Sequence, residues 1–289
     1  MSFKIAIASG KGGTGKTTVS VNLFEQFSEH SEGKIQLVDC DVEEPNDHIF
    51  FNRTKKISEE EVFQQVPTID KDKCTFCRKC SEYCEFNAIV VIPPVRFAEV
   101  NQSLCHSCGA CSVACEFDAI TEHPESIGKV SFYKTGNNKG LVEGKLKIGS
   151  AMQTMLIKEL KKRVPLNAEI VLYDSPPGTS CPVVETISNT DYVILVAEPT
   201  LFGLYDLKLM VNLVRELAIP FGIIINKSGL GSNDIYEYLY KESIDILGEI
   251  PFNKEYAGVY AKGQIVGNMP VEMKNVYKSI TEKLHKMGC

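Results

Sequence analysis

Residues 10–18 read GKGGTGKTT, set between an apolar run at 3–8 (FKIAIA) and a helix-patterned stretch from Thr17 to about Phe27. Gly10, Gly15, Lys16 and Thr17 meet the phosphate-loop pattern G-x-x-x-x-G-K-[ST]. Glycines let successive backbone N–H groups turn inward around phosphate oxygens, and the helix that follows presents its positive end to the same anion. The spacing then places Lys16 on the β and γ phosphates and the Thr17 hydroxyl on Mg2+, with Gly10, Lys11, Gly12, Gly13, Thr14, Gly15 and Thr18 around the nucleotide. A glycine-rich turn that matched by chance would have no reason to sit between a strand and a helix, where the mechanism requires it.

Outward from the loop, short apolar runs recur at 35–38 (IQLV), 168–173 (AEIVLY), 192–197 (YVILVA) and 221–225 (FGIII), bounded by Pro, Gly, Asp or Asn. Strands buried on both faces of a parallel sheet read this way. Helical patterns lie near 151–163, 182–189, 203–217 and 233–241, and a last one runs from about Val271 to Lys286. The alternation predicts an α/β fold, a doubly wound and mostly parallel sheet covered on both faces. It breaks between about Pro67 and Glu125. The expected organisation is a nucleotide domain made of 1–66 and 126–289, with a small α+β domain inserted at 67–125. The stretch 128–150 reads as hairpin or loop returning the chain to the main sheet.

The interruption repeats itself: CTFCRKCSEYCEFNAI from Cys74 answers CHSCGACSVACEFDAI from Cys105. The chain has 11 cysteines, and eight of them fall between Cys74 and Cys115. In a reducing compartment such a cluster points to metal ligation rather than disulfides. Each copy has the spacing C-x2-C-x2-C-x3-C, the bacterial-type run for [4Fe–4S] ligation, in which the fourth cysteine serves the other cluster. One cluster is expected on Cys74, Cys77, Cys80 and Cys115, the other on Cys105, Cys108, Cys111 and Cys84. Soft thiolates also suit zinc, but zinc usually takes paired C-x2-C arms rather than three consecutive steps.

The early lysine, Lys11 in GKGGTGKTT, resembles the deviant Walker A loop of the MinD/ParA/Mrp/nitrogenase iron-protein superfamily, and the likeness covers the chain outside the cysteine segment. The resemblance implies an ATPase that works as a homodimer, with Lys11 reaching the partner's nucleotide. Lys11, Lys16 and Asp41 are then the catalytic set. Asp39 and Asp41 in DCD match the acidic switch I, the second orienting the attacking water and the first near Mg2+. Asp174 in YDSPPG matches the Walker B position near Mg2+, Asn226 in INKSG the adenine-contacting asparagine, and Pro251 the adenine pocket. The cysteine segment resembles two-cluster bacterial ferredoxins, but Glu85 and Glu116 stand where proline is usual after the fourth cysteine. A negative charge there is expected to lower the cluster potentials. Ala88–Ile89 and Ala119–Ile120 keep the small-then-apolar pair that packs on a cluster.

Among the other thiols, Cys40 is expected to be structural. Cys181 follows switch II and is expected to be a small buried residue, the alternative being a cluster bridge across a dimer as in the nitrogenase iron protein. The ending HKMGC, with Cys289, is no prenylation box. The last helix carries Val276, Ile280, Leu284 and Met287 on one stripe and is expected to dock on the sheet rather than on a membrane.

A formal net charge of −6 argues against a nucleic-acid partner. No run of 18 apolar residues is present, and the N-terminus enters a strand pattern at once, so a cytoplasmic location without membrane insertion is expected. Three functions follow from these motifs: an ATP-gated electron carrier with an unidentified redox partner, an iron–sulfur assembly or transfer ATPase with an acceptor protein, and a MinD/ParA-like positioning switch. Saturated ligand sets favour the first. The Mrp-type scaffolds use a C-terminal C-x2-C pair, which this sequence lacks.

Overall fold

The computed structural model describes residues 2–30, 33–51 and 54–288, so Cys289 lies outside the described residues. One sheet has nine strands. In spatial order they are β11 (Ile246–Pro251), β10 (Phe221–Ser228), β9 (Tyr192–Ala197), β1 (Phe3–Ala8), β8 (Ile170–Asp174), β2 (Ile35–Asp39), β7 (Lys139–Leu146), β6 (Ile120–Lys134) and β3 (Lys55–Ile69). From β11 to β7 every neighbouring pair is parallel. The fold is the doubly wound α/β arrangement that the alternation of apolar runs and helical patterns predicts. β1 lies between β8 and β9, the point where strand order reverses, and ligands of open α/β sheets bind beyond the carboxyl ends of the strands there.

The central strands are buried along their whole length because helices cover them: β2, β8 and β9 have no exposed residue. Ile5, Ile7, Leu37, Leu172 and Ile194 join Val19, Leu23, Phe24 and Phe27 of α1 (Lys16–His30) in one core. The last helix, α9 (Val271–Gly288), packs into the same core through Met273, Tyr277, Ile280 and Leu284. The buried stripe is turned slightly from the one read in the sequence, since Met287 is exposed and Val276 only half-buried. Among the described residues no helix is long and apolar enough to cross a membrane.

Internal contacts divide the chain into two compact units. The first is Met1–Glu59, Val130–Lys145 and Ile157–Cys289; the second is Glu60–Lys129 and Leu146–Leu156. In the first unit, β7 is a full sheet strand, registered parallel against β2. Thus 128–150 holds the end of β6 and all of β7, neighbouring strands joined by a short turn at 135–138, which is the hairpin of the two expected alternatives. β3 was not readable as a strand because its first half, Lys55 to Glu61, is charged and exposed, and inward-facing positions begin only at Val62, Gln64 and Val66. Charged side chains on an edge strand discourage pairing with another chain.

The second unit holds a two-stranded antiparallel sheet, β4 (Ile89–Ile92) against β5 (Phe97–Val100), with short helices α2 (Lys79–Glu82) and α3 (Ala110–Ala114). The internal repeat is also a backbone repeat. Phe76, Arg78 and Asn87 adopt left-handed φ of 58°, 70° and 52°, and their counterparts Ser107, Gly109 and Asp118 adopt 55°, 73° and 47°. L-residues visit this region at a cost, so its recurrence at matched positions marks one imposed geometry used twice.

Candidate nucleotide site and cysteine cavities

The phosphate loop joins β1 to α1 at the carboxyl edge of the sheet. Gly13 and Gly15 have φ of 78° and 90°, and a Cβ on Gly15 would lie 2.1 Å from the Asn226 side-chain nitrogen. Only glycine fits position 15. A Cβ on Gly12 or Gly13 would meet nothing within 4 Å, so the loop's outer face is open to a ligand. Asn226 Nδ2 donates to the Thr14 carbonyl at 2.6 Å, and Lys227 Nζ donates to the Gly13 carbonyl at 2.9 Å. The end of β10 thus props the loop from beside it.

Lys16 is buried, and its Nζ lies 3.6 Å from Asp174 Oδ1. Burial pushes the Lys16 ammonium toward neutrality, but Asp174, Asp41, Asp47 and Asp39 outweigh it and its pKa is raised. Thr17 Oγ1 donates to Asp174 Oδ2, and Ser20 Oγ donates to Asp174 Oδ1, both at 2.8 Å. Asp174, Lys16 and Thr17 are therefore assembled in one place. A hydroxyl beside a buried carboxylate is the donor set that a hard cation takes. Ser20, not singled out by the sequence, is the third partner of Asp174.

Asp39 is buried at the end of β2, in register with Asp174 on one side and Glu143 on the other. Its carboxylate accepts three backbone N–H groups, from Asp41 at 3.1 Å, Asn46 at 2.8 Å and Asp47 at 3.1 Å. Asp39 thus shapes the acidic loop that follows it. Asp41 is half-buried; burial lifts its carboxyl above the usual value against the pull of Lys16. Asp47 begins a 3-10 turn (Asp47–Phe50) and is fully buried. Burial, then Asp39 and Asp174, push its carboxyl well above the usual range. Next to it His48 Nδ1 lies 2.6 Å from Glu143 Oε2 and stacks on Tyr133.

Lys11 lies 2.5 Å from Glu198 Oε1, and Lys227 lies 3.0 Å from Glu198 Oε2. Burial works against the Glu198 carboxylate, but hydrogen bonds from both lysines hold its pKa below the usual value. Glu198 directly follows β9 as Asp39 closes β2, and an acid at the end of a central strand was the one signal by which the sequence could have disclosed it. Gly10 is close against α6 (Leu201–Glu216): a Cβ there would lie 2.5 Å from the Asp206 carbonyl. Asn226 and Pro251 line one cavity together with Gly13, Gly15, Thr18 and Tyr256.

In the second unit the cysteines fall into two groups. Cys74, Cys77, Cys80 and Cys115 line one cavity with Ala119 and Ile120. Cys84, Cys105, Cys108 and Cys111 line another with Ala88 and Ile89. In each set the fourth cysteine comes from the other repeat. Backbone N–H groups of Phe76, Ala88 and Ser107 point at the sulfurs of Cys74, Cys84 and Cys105 at 3.3–3.4 Å. Such hydrogen bonds stabilise thiolate ligands. Among the described residues no three His, Cys, Asp or Glu side chains converge closely enough to hold a single metal ion. Glu116 is paired with Lys79 at 2.5 Å, whereas Glu85 is exposed.

Cys40 is fully buried, and burial holds its thiol well above the usual pKa, in keeping with a structural role. Cys181 is exposed at the first residue of α5 (Cys181–Ile187), which corrects the expectation of a small buried side chain. It follows the exposed Thr179 and Ser180, and the helix turns inward only at Val183.

Residues 5–266 match the CobQ/CobB/MinD/ParA nucleotide-binding domain, and the chain belongs to that family of P-loop proteins. An uncharacterised protein of Methanocaldococcus jannaschii is 35% identical over 262 residues, covering 90% of each chain. An iron–sulfur cluster carrier protein of Pyrococcus abyssi is 22% identical over 303 residues, covering 98% of this chain and 85% of the carrier. The cell division ATPase MinD of Pyrococcus furiosus superposes with a TM-score of 0.61 at 17% identity, over 99% of both chains.

Proposed function

We propose that this chain is a nucleotide-switched iron–sulfur protein that binds and hydrolyses ATP with Mg2+ as a homodimer and passes electrons through two [4Fe–4S] clusters. The observation that carries the reading is the sorting of eight cysteines into two cavities, each completed by a cysteine of the other repeat. That crossed assignment is what a two-cluster ferredoxin module requires. Residues 67–125 form that module, inserted into the nucleotide domain. When bound, the clusters supply one-electron redox chemistry, and the N–H groups at Cys74, Cys84 and Cys105 tune it.

At the nucleotide site, loop N–H groups and Lys16 take the phosphates, and Thr17, Asp174 and Asp39 serve Mg2+. Asp41 orients the attacking water, and Asn226 and Pro251 hold the adenine. Phosphoryl transfer needs positioning and charge stabilisation more than proton abstraction, so no histidine base is called for. Lys11 leaves Glu198 to reach the nucleotide of a second copy.

A second reading, cluster carriage to an acceptor protein, is favoured by the similarity to iron–sulfur cluster carrier proteins. An anaerobic EPR-monitored redox titration with Mg-ADP, and then with a non-hydrolysable ATP analogue, separates the two. Two clusters whose potentials move with nucleotide support gated electron transfer. Clusters indifferent to nucleotide that leave for an apo-acceptor support carriage, and failure to reconstitute any cluster refutes both.

A further inference from the structure

Asp47 is an acidic side chain of the first unit to which the reading above gives no part. Its side chain is 0% exposed, and neither carboxylate oxygen has a hydrogen-bond partner. Its backbone N–H is already given to Asp39, and the 3-10 turn it begins has no side-chain cap. The acids around it are occupied. Asp39 accepts three N–H groups, Asp174 accepts Thr17 and Ser20 beside Lys16, and Glu143 faces His48. Among the described residues the Asp47 carboxylate alone is left unsatisfied in this group.

Burying an unpartnered carboxylate is strongly unfavourable, so a position with only a packing role would be better filled by an apolar or amide side chain. Asp39, which binds the Asp47 N–H, is the register partner of Asp174, and Asp174 holds the magnesium-ligand threonine. The Asp47 carboxylate also acts on the Lys16 ammonium and feels the charges of Asp39 and Asp174, which sets it among the groups around the expected cation.

We propose that Asp47 is an additional carboxylate of the divalent-cation site, which the cation arriving with the nucleotide satisfies. This rests on the nucleotide reading of the P-loop. It gives the acidic loop a second carboxylate for the cation: Asp39 serves it while also fixing the loop's backbone, and Asp47 adds its own charge. Asp47 is eight residues beyond Asp39 in DCDVEEPND, outside the DCD pair that the resemblance singles out.

The test uses the full chain and titrates ADP binding against Mg2+ by calorimetry, with an EDTA baseline. Asp47→Asn keeps the shape and removes the charge, and Asp47→Ser is the second variant should the first fail to fold. The expected result is a fall of about 10- to 100-fold in apparent Mg2+ affinity with ADP present, the scale seen when groups supporting a metal site are removed. ADP affinity in EDTA stays unchanged and the metal-free melting temperature does not drop. A wild type that binds Mg-ADP and variants with the same Mg2+ dependence would overturn the assignment while leaving the nucleotide reading intact. A wild type without Mg2+-dependent ADP binding would overturn both.

Discussion

Replacing Glu198 with glutamine tests whether the isolated chain holds Lys11 back from a second copy. Lys11 Nζ is 2.5 Å from Glu198 Oε1, and its side chain is 30% exposed. A hydrogen bond to a charged group contributes about 1.5–3 kcal/mol. A neutral amide acceptor keeps about half of that, because charge-assisted bonds are about twice as strong. Solvent screening of the part-exposed lysine trims the rest to about 1 kcal/mol per chain. Two chains release two lysines, so dimer formation gains about 2 kcal/mol, close to a 30-fold tighter association at tenfold per 1.4 kcal/mol. The loop itself persists, since Lys227 keeps its bond to the Gly13 carbonyl. Sedimentation velocity with Mg2+ and a non-hydrolysable ATP analogue measures the shift across a concentration series. Lys11→Ala, run alongside, is expected to bind nucleotide and remain monomeric. If Glu198→Gln binds nucleotide normally but dimerises no more tightly than wild type, the Glu198 restraint on Lys11 is wrong.

The two acids that replace proline are expected to act unequally. Glu116 is neutralised by Lys79, so Glu85→Pro should raise the potential of one cluster more than Glu116→Pro raises the other, read by EPR potentiometry; equal shifts would contradict this. Lys161 donates to the carbonyls of Glu185, Thr186 and Ser188 at 2.6–2.9 Å at the end of α5. Lys161→Met should lose about 2–3 kcal/mol in denaturant unfolding, the cost of leaving buried acceptors unmade, and a loss under 0.5 would show that water replaces the ammonium, a level about that of an ordinary surface change. Burial pushes Tyr192 and Tyr256 up to about 12, and Tyr277 higher still. The folded chain keeps protons that the unfolded chain gives up at about pH 10, so these rings penalise the fold only above that pH, with stability falling toward pH 12. Phenolate absorbance should therefore rise together with loss of far-ultraviolet ellipticity, and early ionisation of all the tyrosines in a folded chain would refute the burial argument.

The chemistry that depends on spacing along the chain was legible, and the chemistry that depends on adjacency through space was not. GKGGTGKTT carries its own geometry, because neighbouring residues form the cradle. The strands β2, β8 and β9 announce themselves because burial on both faces leaves no polar position to confuse the pattern. β3 hid behind a run of exposed glutamates at Glu59, Glu60 and Glu61. Ser20 and Glu198 matter only because the fold brings them to Asp174 and Lys11, which lie 154 and 187 residues away from them along the chain (174 − 20 and 198 − 11). No spacing in the sequence singles out Asp47, and only its burial and unpartnered carboxylate distinguish it.

The contact between Gly15 and Asn226 has a consequence for how this loop can change. The amide of Asn226 occupies the space in which any side chain at position 15 would grow, and the same amide is bonded to the neighbouring Thr14 carbonyl. The nine residues of the phosphate loop are therefore not a portable cassette. Grafted onto another strand–helix junction without an amide from a later strand, they would keep the motif's letters and lose its shape. Loop and prop must be inherited, or engineered, as a pair.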